Sequence, residues 1–247
     1  MPHSREVRSN ASEIKFVISS DLAARVQEWA RANLAADLHG HGSFGDEYQT
    51  TSVYLDTAGA DVFHRRGSFG RSKYRIRRYG SDETVFLERK LRQPAALAKR
   101  RTRVPLATVP LVWGGPTDQG WPGQWFAQRV AARQLQPVCQ VSYHRTARQS
   151  TSDGELVRLT LDSDLSVHLA RDASFAESVK MPVLPGQAIL ELKYRGVAPA
   201  IFRRLVEEFA LNPQAASKYR LSLTALRTLE TGAIASASSG GAESIHA

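Results

Sequence analysis

Charged and apolar residues alternate one by one along much of this chain. "VRLTLD" sets Arg158, Thr160 and Asp162 against Val157, Leu159 and Leu161. "AILELKYRG" sets Glu191, Lys193 and Arg195 against Leu190, Leu192 and Tyr194, and "FLERK" sets Glu88 and Lys90 against Leu87 and Leu91. "SEIKF" opposes Glu13 and Lys15 to Ile14 and Phe16, and "KYRIRRYG" aligns Lys73, Arg75 and Arg77. A period of two marks a β-strand whose two faces meet different surroundings. In "PVCQVSYHRTARQ" the split is less clean, because Cys139 and Val141 share the parity of Tyr143 and Arg145.

The pattern predicts strands at "SEIKFVI", "TTSVYLDT", "RSKYRIRRYG", "ETVFLERKLR", "PVCQVSYHRTARQ", "ELVRLTLDSDLSVHLA" and "AILELKYRG". "YGSDE" between the third and fourth signals a hairpin. Helical spacing occurs in "SSDLAARVQEWARANLAADL", with Ser19, Ser20 or Asp21 as N-cap and Leu22, Val26, Trp29 and Leu34 roughly on one face. It recurs in "QWFAQRVAARQL" and in "APAIFRRLVEEFAL", which has a proline near its start. "AGADVFHRRG" suits a short helix or turn, "QPAALAKRRTRVPL" is less regular, and "VPLVWGGPTDQGWPG" is loop-like. "SKYRLSLTALRTLE" closes the ordered part. Residues 1–11 are expected to be disordered, 12–230 to form the domain, and the small-residue stretch 231–247 to be a disordered tail. The sum is an α+β domain dominated by antiparallel strands.

One wet face per sheet is ordinary in antiparallel architecture. Here, however, the polar faces are mostly charged, with little Ser or Gln, and strand after strand repeats the arrangement. Residues i and i+2 sit ~7 Å apart on one face, a spacing that a chain of phosphates can bridge. Closing the strands into a barrel would put the charged faces inside and the apolar faces outside, under the helices. Like charges in a confined interior are costly unless an anion or counter-charges compensate.

Composition sharpens this. The 247 residues fit one large domain or two small ones, and 42% hydrophobic content supports a core. The formal net charge of +9 points either to a polyanionic partner or to a generally basic surface. Apolar runs are too short for a membrane span, and "MPHSREVRSN" lacks the apolar core of a signal peptide. Cys139 is the only cysteine, excluding an internal disulfide and a cysteine-cluster zinc site. A cytoplasmic protein is the simplest expectation.

Other motifs fail on context. "GHGSFG" fits G-x-G-x-x-G but follows a helix and precedes a loop, where the dinucleotide fingerprint needs a strand and then a helix. His39, His41 and His64 form no metal spacing, and neither G-x-S-x-G nor a P-loop occurs. "KRRTR" could be a nucleic-acid patch, but no aromatic platform is clustered beside it in the sequence.

In their order, "EIKFVI", "SVYLDT", "YRIRRYG", "VFLERK", "LQPVCQVSYHRTA", "VRLTLDSDL", "ILELKYRG" and "SKYRLS" resemble the VTC-type polyphosphate polymerase domain, from Ser12 to Leu229. That domain lies within the triphosphate tunnel metalloenzyme (CYTH-like) superfamily. The resemblance implies an antiparallel β-barrel with flanking helices, a basic lumen, and transfer of the ATP γ-phosphate onto polyphosphate with Mn²⁺ or Mg²⁺. It implies phosphate-holding roles for Lys15, Arg75, Arg77, Lys90, Arg145, Arg158 and Lys218, and for Lys99, with Arg101 as the alternative. Arg75, Arg77, Lys90 and Glu191 are the implied catalytic set, and Glu191 matches the metal-binding carboxylate. Tyr143 and Ser217 match positions beside the phosphates, and Lys193 and Glu13 are further lumen candidates. The family pattern begins at Arg75, so Lys73 gains no role from it.

Taken singly, these residues have plainer readings. Arg75 and Arg77 could be a solvated strand face, Glu191 a partner for cations across the barrel, Tyr143 packing, and Asp162 an arginine's structural partner. The sequence departs from the eukaryotic members: it shows neither an inositol-phosphate-sensing domain nor a transmembrane segment, so regulation and product transport by those routes are not expected. The first strand has Glu-x-Lys where the hydrolytic branch usually has Glu-x-Glu-x-Lys, which weakens the triphosphatase reading. A hydrolase of triphosphate or polyphosphate, or a non-catalytic polyphosphate-binding module, remain the alternatives.

Overall fold

The computed structural model describes residues 7–9, 11–37, 40–92, 97–114, 120–152, 154–175 and 177–239. The chain runs β1 (Val7–Ser9), β2 (Ala11–Ser19), α1 (Ser20–Asn33), β3 (Ala35–Ala36), β4 (Glu47–Asp56) and α2 (Asp61–His64). A 3-10 turn (Gly67–Arg71) leads to β5 (Ser72–Tyr79), β6 (Thr84–Arg92) and β7 (Leu97–Pro105). A second 3-10 segment (Leu106–Val112), α3 (Gln124–Ala132), β8 (Gln136–Ser152) and β9 (Glu155–Leu169) follow. The chain continues through β10 (Met181–Pro182), β11 (Gln187–Arg195) and α4 (Ala200–Glu208) to α5 (Lys218–Ser239).

The strands form one antiparallel sheet of eleven, in the order β1-β7-β6-β5-β4-β8-β9-β11-β2, with β3 on β8 and β10 on β9. The sheet curls into a barrel. Among the described residues no ladder joins β2 to β1 or β7, but Lys90 on β6 reaches Glu13 on β2 at 3.0 Å. Register shifts at Tyr54/Leu55 and at Ser142/His144 bend the two long strands at its centre.

Alternation sends one face of each strand outward under the helices. Phe16, Leu159, Leu161, Leu190 and Leu192 pack against Val26 and Ala30 of α1 and Phe202 and Leu205 of α4. Val53, Leu55, Ile76, Val85, Leu87 and Val104 pack against Val109, Val112, Phe126 and Val130. Each such fully buried side chain contributes ~1.5–3 kcal/mol of transfer free energy. Ser19 caps α1, its hydroxyl accepting the Leu22 N–H at 3.3 Å.

The inward face is divided. At one end Cys139, Val141, Leu165, Val167 and Ile189 pack with Tyr219, Leu223 and Leu226 of α5, so this helix fills that half of the barrel with apolar side chains. The odd parity of Cys139 and Val141 is thereby explained: they share the inner face with Tyr143 and Arg145, in its dry half. Asp56, wholly buried at the end of β4, anchors the plug. It accepts N–H groups of Thr57, Val62 and Phe63, and also the Tyr219 hydroxyl.

Three expectations change. "QPAALAKRRTRVPL" contains a full strand, β7. Its outward face (Ala98, Thr102, Val104) is buried, but Arg100 interrupts the apolar run, and its guanidinium lies 4.3 Å over the Trp125 ring. Residues 7–9, expected to be disordered, pair with Leu97–Lys99 of β7. The helix α5 continues to Ser239, past the boundary expected at 230. Alanine is the best helix former, and elongation from an anchored first turn is cheap. The rest of the expected tail, 240–247, lies outside the described residues, as does His39. No helix among the described residues is long and apolar enough to cross a membrane.

Candidate functional site: a basic lumen

The polar half of the barrel is a cavity of about 510 Å³. Twelve lysines and arginines border it against three glutamates. Arg89, one of the twelve, shares the outward parity of its cross-strand neighbours Tyr74 and Arg100, while Asp162 and Asp37 pair with the lumen cations Arg145, Lys218 and Arg158. Eleven inward cations against five carboxylates leave a surplus of six, the larger part of the chain's formal +9. Most of the charge excess therefore belongs to the lumen.

Register builds the wall. Lys73, Lys90 and Lys99 are cross-strand neighbours on β5, β6 and β7, and Arg75, Glu88 and Arg101 form the adjoining row. Directly opposed residues stand ~5 Å apart, so three lysines in one row repel strongly. Glu88 is the counterweight: Arg75 reaches it at 2.6 Å, Lys99 at 3.1 Å and Arg101 at 3.2 Å. Burial pushes its carboxyl up, but Arg75, Arg77, Lys99 and Arg101 outweigh that and hold it well below the usual carboxylate range.

On the opposite wall, Glu191 faces Lys15 and Lys193 faces Glu13 across β11 and β2. Lys15 contacts Glu13 at 2.9 Å and Glu191 at 3.1 Å, and Lys193 contacts Glu191 at 2.5 Å. Burial raises the Glu191 carboxyl, yet Lys193 and Lys15 bring it well below normal. Deeper, Asp162 accepts both prongs of Arg145 and the ammonium of Lys218, the first residue of α5. Arg158 pairs with Asp37 at 2.7 Å. Two lysines are less well compensated. Burial, reinforced by neighbouring cations, brings Lys73 down to about 7, and burial brings Lys99 down to about 8 despite Glu88.

Four tyrosine hydroxyls fix four guanidinium groups. Tyr143 accepts from Arg77 at 3.0 Å, Tyr54 from Arg75 at 3.3 Å, Tyr79 from Arg101 at 3.1 Å and Tyr48 from Arg158 at 3.0 Å. Ser52 also accepts from Arg77 Nε at 3.1 Å. A guanidinium has five donors, so these bonds orient the forks while leaving donors for ligand oxygens.

A family model for the VTC domain matches residues 10–227. The chain belongs to the VTC domain family. No curated protein matches it. Among solved structures, this VTC domain is similar to a protein from Bacillus halodurans described as a candidate adenylate cyclase. The TM-score is 0.50 at 15% identity, over 85% of this chain and 96% of that one. It is likewise similar to a candidate adenylyl cyclase from Hippeastrum, described as having a dominant triphosphatase activity. Here the TM-score is 0.50 at 14% identity, over 90% of this chain and 96% of that one. At such identities the likeness is one of fold, the antiparallel triphosphate tunnel barrel with flanking helices.

The VTC domain places every anticipated site residue on this one lining: Lys15, Arg75, Arg77, Lys90, Lys99, Tyr143, Arg145, Arg158, Glu191, Lys193, Ser217 and Lys218. Lys99 and Arg101, weighed as alternatives, both line it, being two apart on β7. Sequence reasoning gave no site role to Lys73, Glu88, Tyr48, Tyr54 or Tyr79. Strand parity with Arg75 or Lys90 marks Lys73, Tyr79 and Glu88, whereas Tyr48 and Tyr54 carry no such signal. "KRRTR" divides by parity, with Lys99 and Arg101 in the lumen and Arg100 on Trp125. "GHGSFG" lies in the turn region before β4, with no helix behind it.

Among the described residues no group of three His, Cys, Asp or Glu could hold a metal ion. Of the three lining glutamates, Glu88 already holds three cations. Glu191 and Glu13 share Lys15 and have each oxygen paired with a lysine, so they serve as donors where those lysines turn to phosphate. That set fits a divalent ion whose remaining positions are phosphate oxygens and water, the usual Mg²⁺ arrangement of one or two carboxylates plus substrate phosphates.

Proposed function

We propose that this VTC domain is a phosphotransferase of the polyphosphate polymerase type, moving the γ-phosphoryl group of ATP onto a polyphosphate chain inside the lumen. The observation that carries this reading is the location of the charge: most of the chain's formal surplus lines one cavity. A linear polyanion is the ligand such a surplus compensates.

Phosphoryl transfer asks for positioning and for neutralisation of charge on non-bridging oxygens rather than for covalent chemistry by the protein. A terminal oxygen of the polyphosphate chain attacks the γ-phosphorus, the bond to the β–γ bridging oxygen breaks, and ADP leaves with that electron pair. Arg75 and Arg77, oriented by Glu88, Tyr54, Ser52 and Tyr143, present forks to the transferred group. Lys15, Lys90, Lys99, Arg145, Arg158, Lys193 and Lys218 hold the flanking phosphates, with Ser217 and Tyr143 beside them. Glu191, with Glu13, would hold Mn²⁺ or Mg²⁺, which when bound supplies charge neutralisation on the phosphate oxygens.

The test is incubation of the purified protein with ATP and Mn²⁺ or Mg²⁺, with separate assays for polymer and free phosphate. Polymer is expected. Free phosphate without polymer would assign a hydrolase, and tight tripolyphosphate binding without turnover would assign a binding module.

A further inference from the structure

We propose that Lys73 is an additional polyanion ligand of this lumen, one that exchanges the α5 cap residue Ser217 for a phosphate oxygen when the lumen fills. The inference rests on the reading of the lumen as a polyphosphate site, but it concerns a residue to which the family resemblance assigned nothing.

Lys73 lines the same cavity as Arg75 and Arg77, two and four residues along the same face of β5. Its Nζ donates to Ser217 Oγ at 2.8 Å, and that hydroxyl also accepts the Arg220 N–H at 3.4 Å, at the start of α5. Lys15 and Lys90, the other lysines nearest it, each have a carboxylate within 3.1 Å, whereas among the described residues Lys73 has none. The four charges that act most strongly on it are cations: Lys15 from β2, Lys90 from β6, Arg75 on its own strand and Arg65 after α2. The lining carboxylates Glu13 and Glu88 are ion-paired with Lys15 and Lys90, and with Arg75, Lys99 and Arg101. A hydroxyl is a weak partner for an ammonium in that company, and a phosphate oxygen is a strong one.

A linkage follows. Burial and these four cations bring Lys73 down to about 7, so at pH 8 it is mostly neutral. An anion beside it restores the charged form, and binding takes up a proton there. Lys99 and Tyr79, both near 8, add to the uptake, so the Lys73 share is read as a difference between variants.

The experiment is calorimetric titration of tripolyphosphate into the full chain at pH 8, in two buffers of different ionisation heat. Wild type, K73M and K73R are compared, with circular dichroism confirming that each is folded. Wild type is expected to take up protons. K73M should bind about tenfold more weakly and lose at least half of the uptake. K73R should hold its affinity within about threefold and lose the same uptake, which a merely structural role for Lys73 does not produce. If wild type binds but K73M matches it in both affinity and uptake, the Lys73 assignment is overturned while the polyanion reading stands. If wild type fails to bind tripolyphosphate, the polyanion reading itself falls, and the assignment with it.

Discussion

Arg145 and Asp162 meet in a two-pronged pair between β8 and β9, Nε to Oδ1 at 2.6 Å and Nη2 to Oδ2 at 2.8 Å. Both are buried, and Lys218 of α5 joins the same carboxylate. Two cations on one buried carboxylate make Asp162 the hinge between the barrel wall and its plug. Replacing it as Asp162→Asn keeps the shape and strands both charges. Breaking a buried pair this way costs about 3–5 kcal/mol. The thermal midpoint should fall sharply, and tripolyphosphate should restore more of it in the variant than in wild type. An unchanged midpoint would show that Arg145 and Lys218 do not depend on this carboxylate.

Arg75→Ala and Arg77→Ala each remove a fork aimed into the lumen. Loss of one oriented transition-state donor typically costs ~10²–10³ in turnover, and that drop in polymer formation is expected from each. Glu191→Gln should abolish turnover while keeping tripolyphosphate affinity, because it removes a carboxylate and no cation. Parallel loss of binding in Glu191→Gln would place this residue in ligand recognition instead.

Stability should peak on the alkaline side. Glu88, Glu191 and Asp162 titrate below their unfolded values in the folded state. Their contribution is present above the unfolded carboxylate range, ~4, and is lost as pH falls through their folded values. Lys73 and Lys99 act in the same direction, in a more alkaline window. Their folded values, about 7 and about 8, lie below an ordinary lysine. Between those values and ~10.4 the unfolded chain binds more protons, so stability declines as pH falls through this window and levels off below it. Lys15, held above its ordinary value by Glu191 and Glu13 against burial, loses its contribution as pH rises through its folded value. Urea midpoints measured from pH 3 to pH 10 should therefore fall between pH 9 and pH 7 without ligand, and less so with tripolyphosphate. A midpoint that rises over that interval would contradict the placement of the two lysines.

Cys139 lies in the dry half of the barrel, and burial pushes its thiol up to about 12. The thiolate is the reactive form, so the native protein should resist Ellman's reagent. Labelling should follow global unfolding in urea. Prompt labelling in buffer would show that the plug end is open.

The strands, their faces and most of the lining were legible because alternation is local. Glu13, Lys15, Arg75, Arg77, Glu191 and Lys193 each declare their face within a few residues of their own strand. The strand β7 was obscured by Arg100, which looks solvated in a list of letters and is instead laid over Trp125, a residue far along the chain. The tyrosine–arginine bonds were equally hidden, since Arg77 and Tyr143 lie on different strands with 65 residues between them.

By itself, then, the sequence determined an antiparallel barrel with charged inner faces, apolar outer faces and a net positive charge, since strand period and composition need no partner to be read. The tertiary structure alone decided that most of the charge surplus sits in one cavity, that α5 fills the other half, that Glu88 holds three cations and that, among the described residues, Lys73 meets a hydroxyl and no carboxylate. Those properties depend on which strand lies beside which and at what register, and that choice is made by packing between segments distant in sequence.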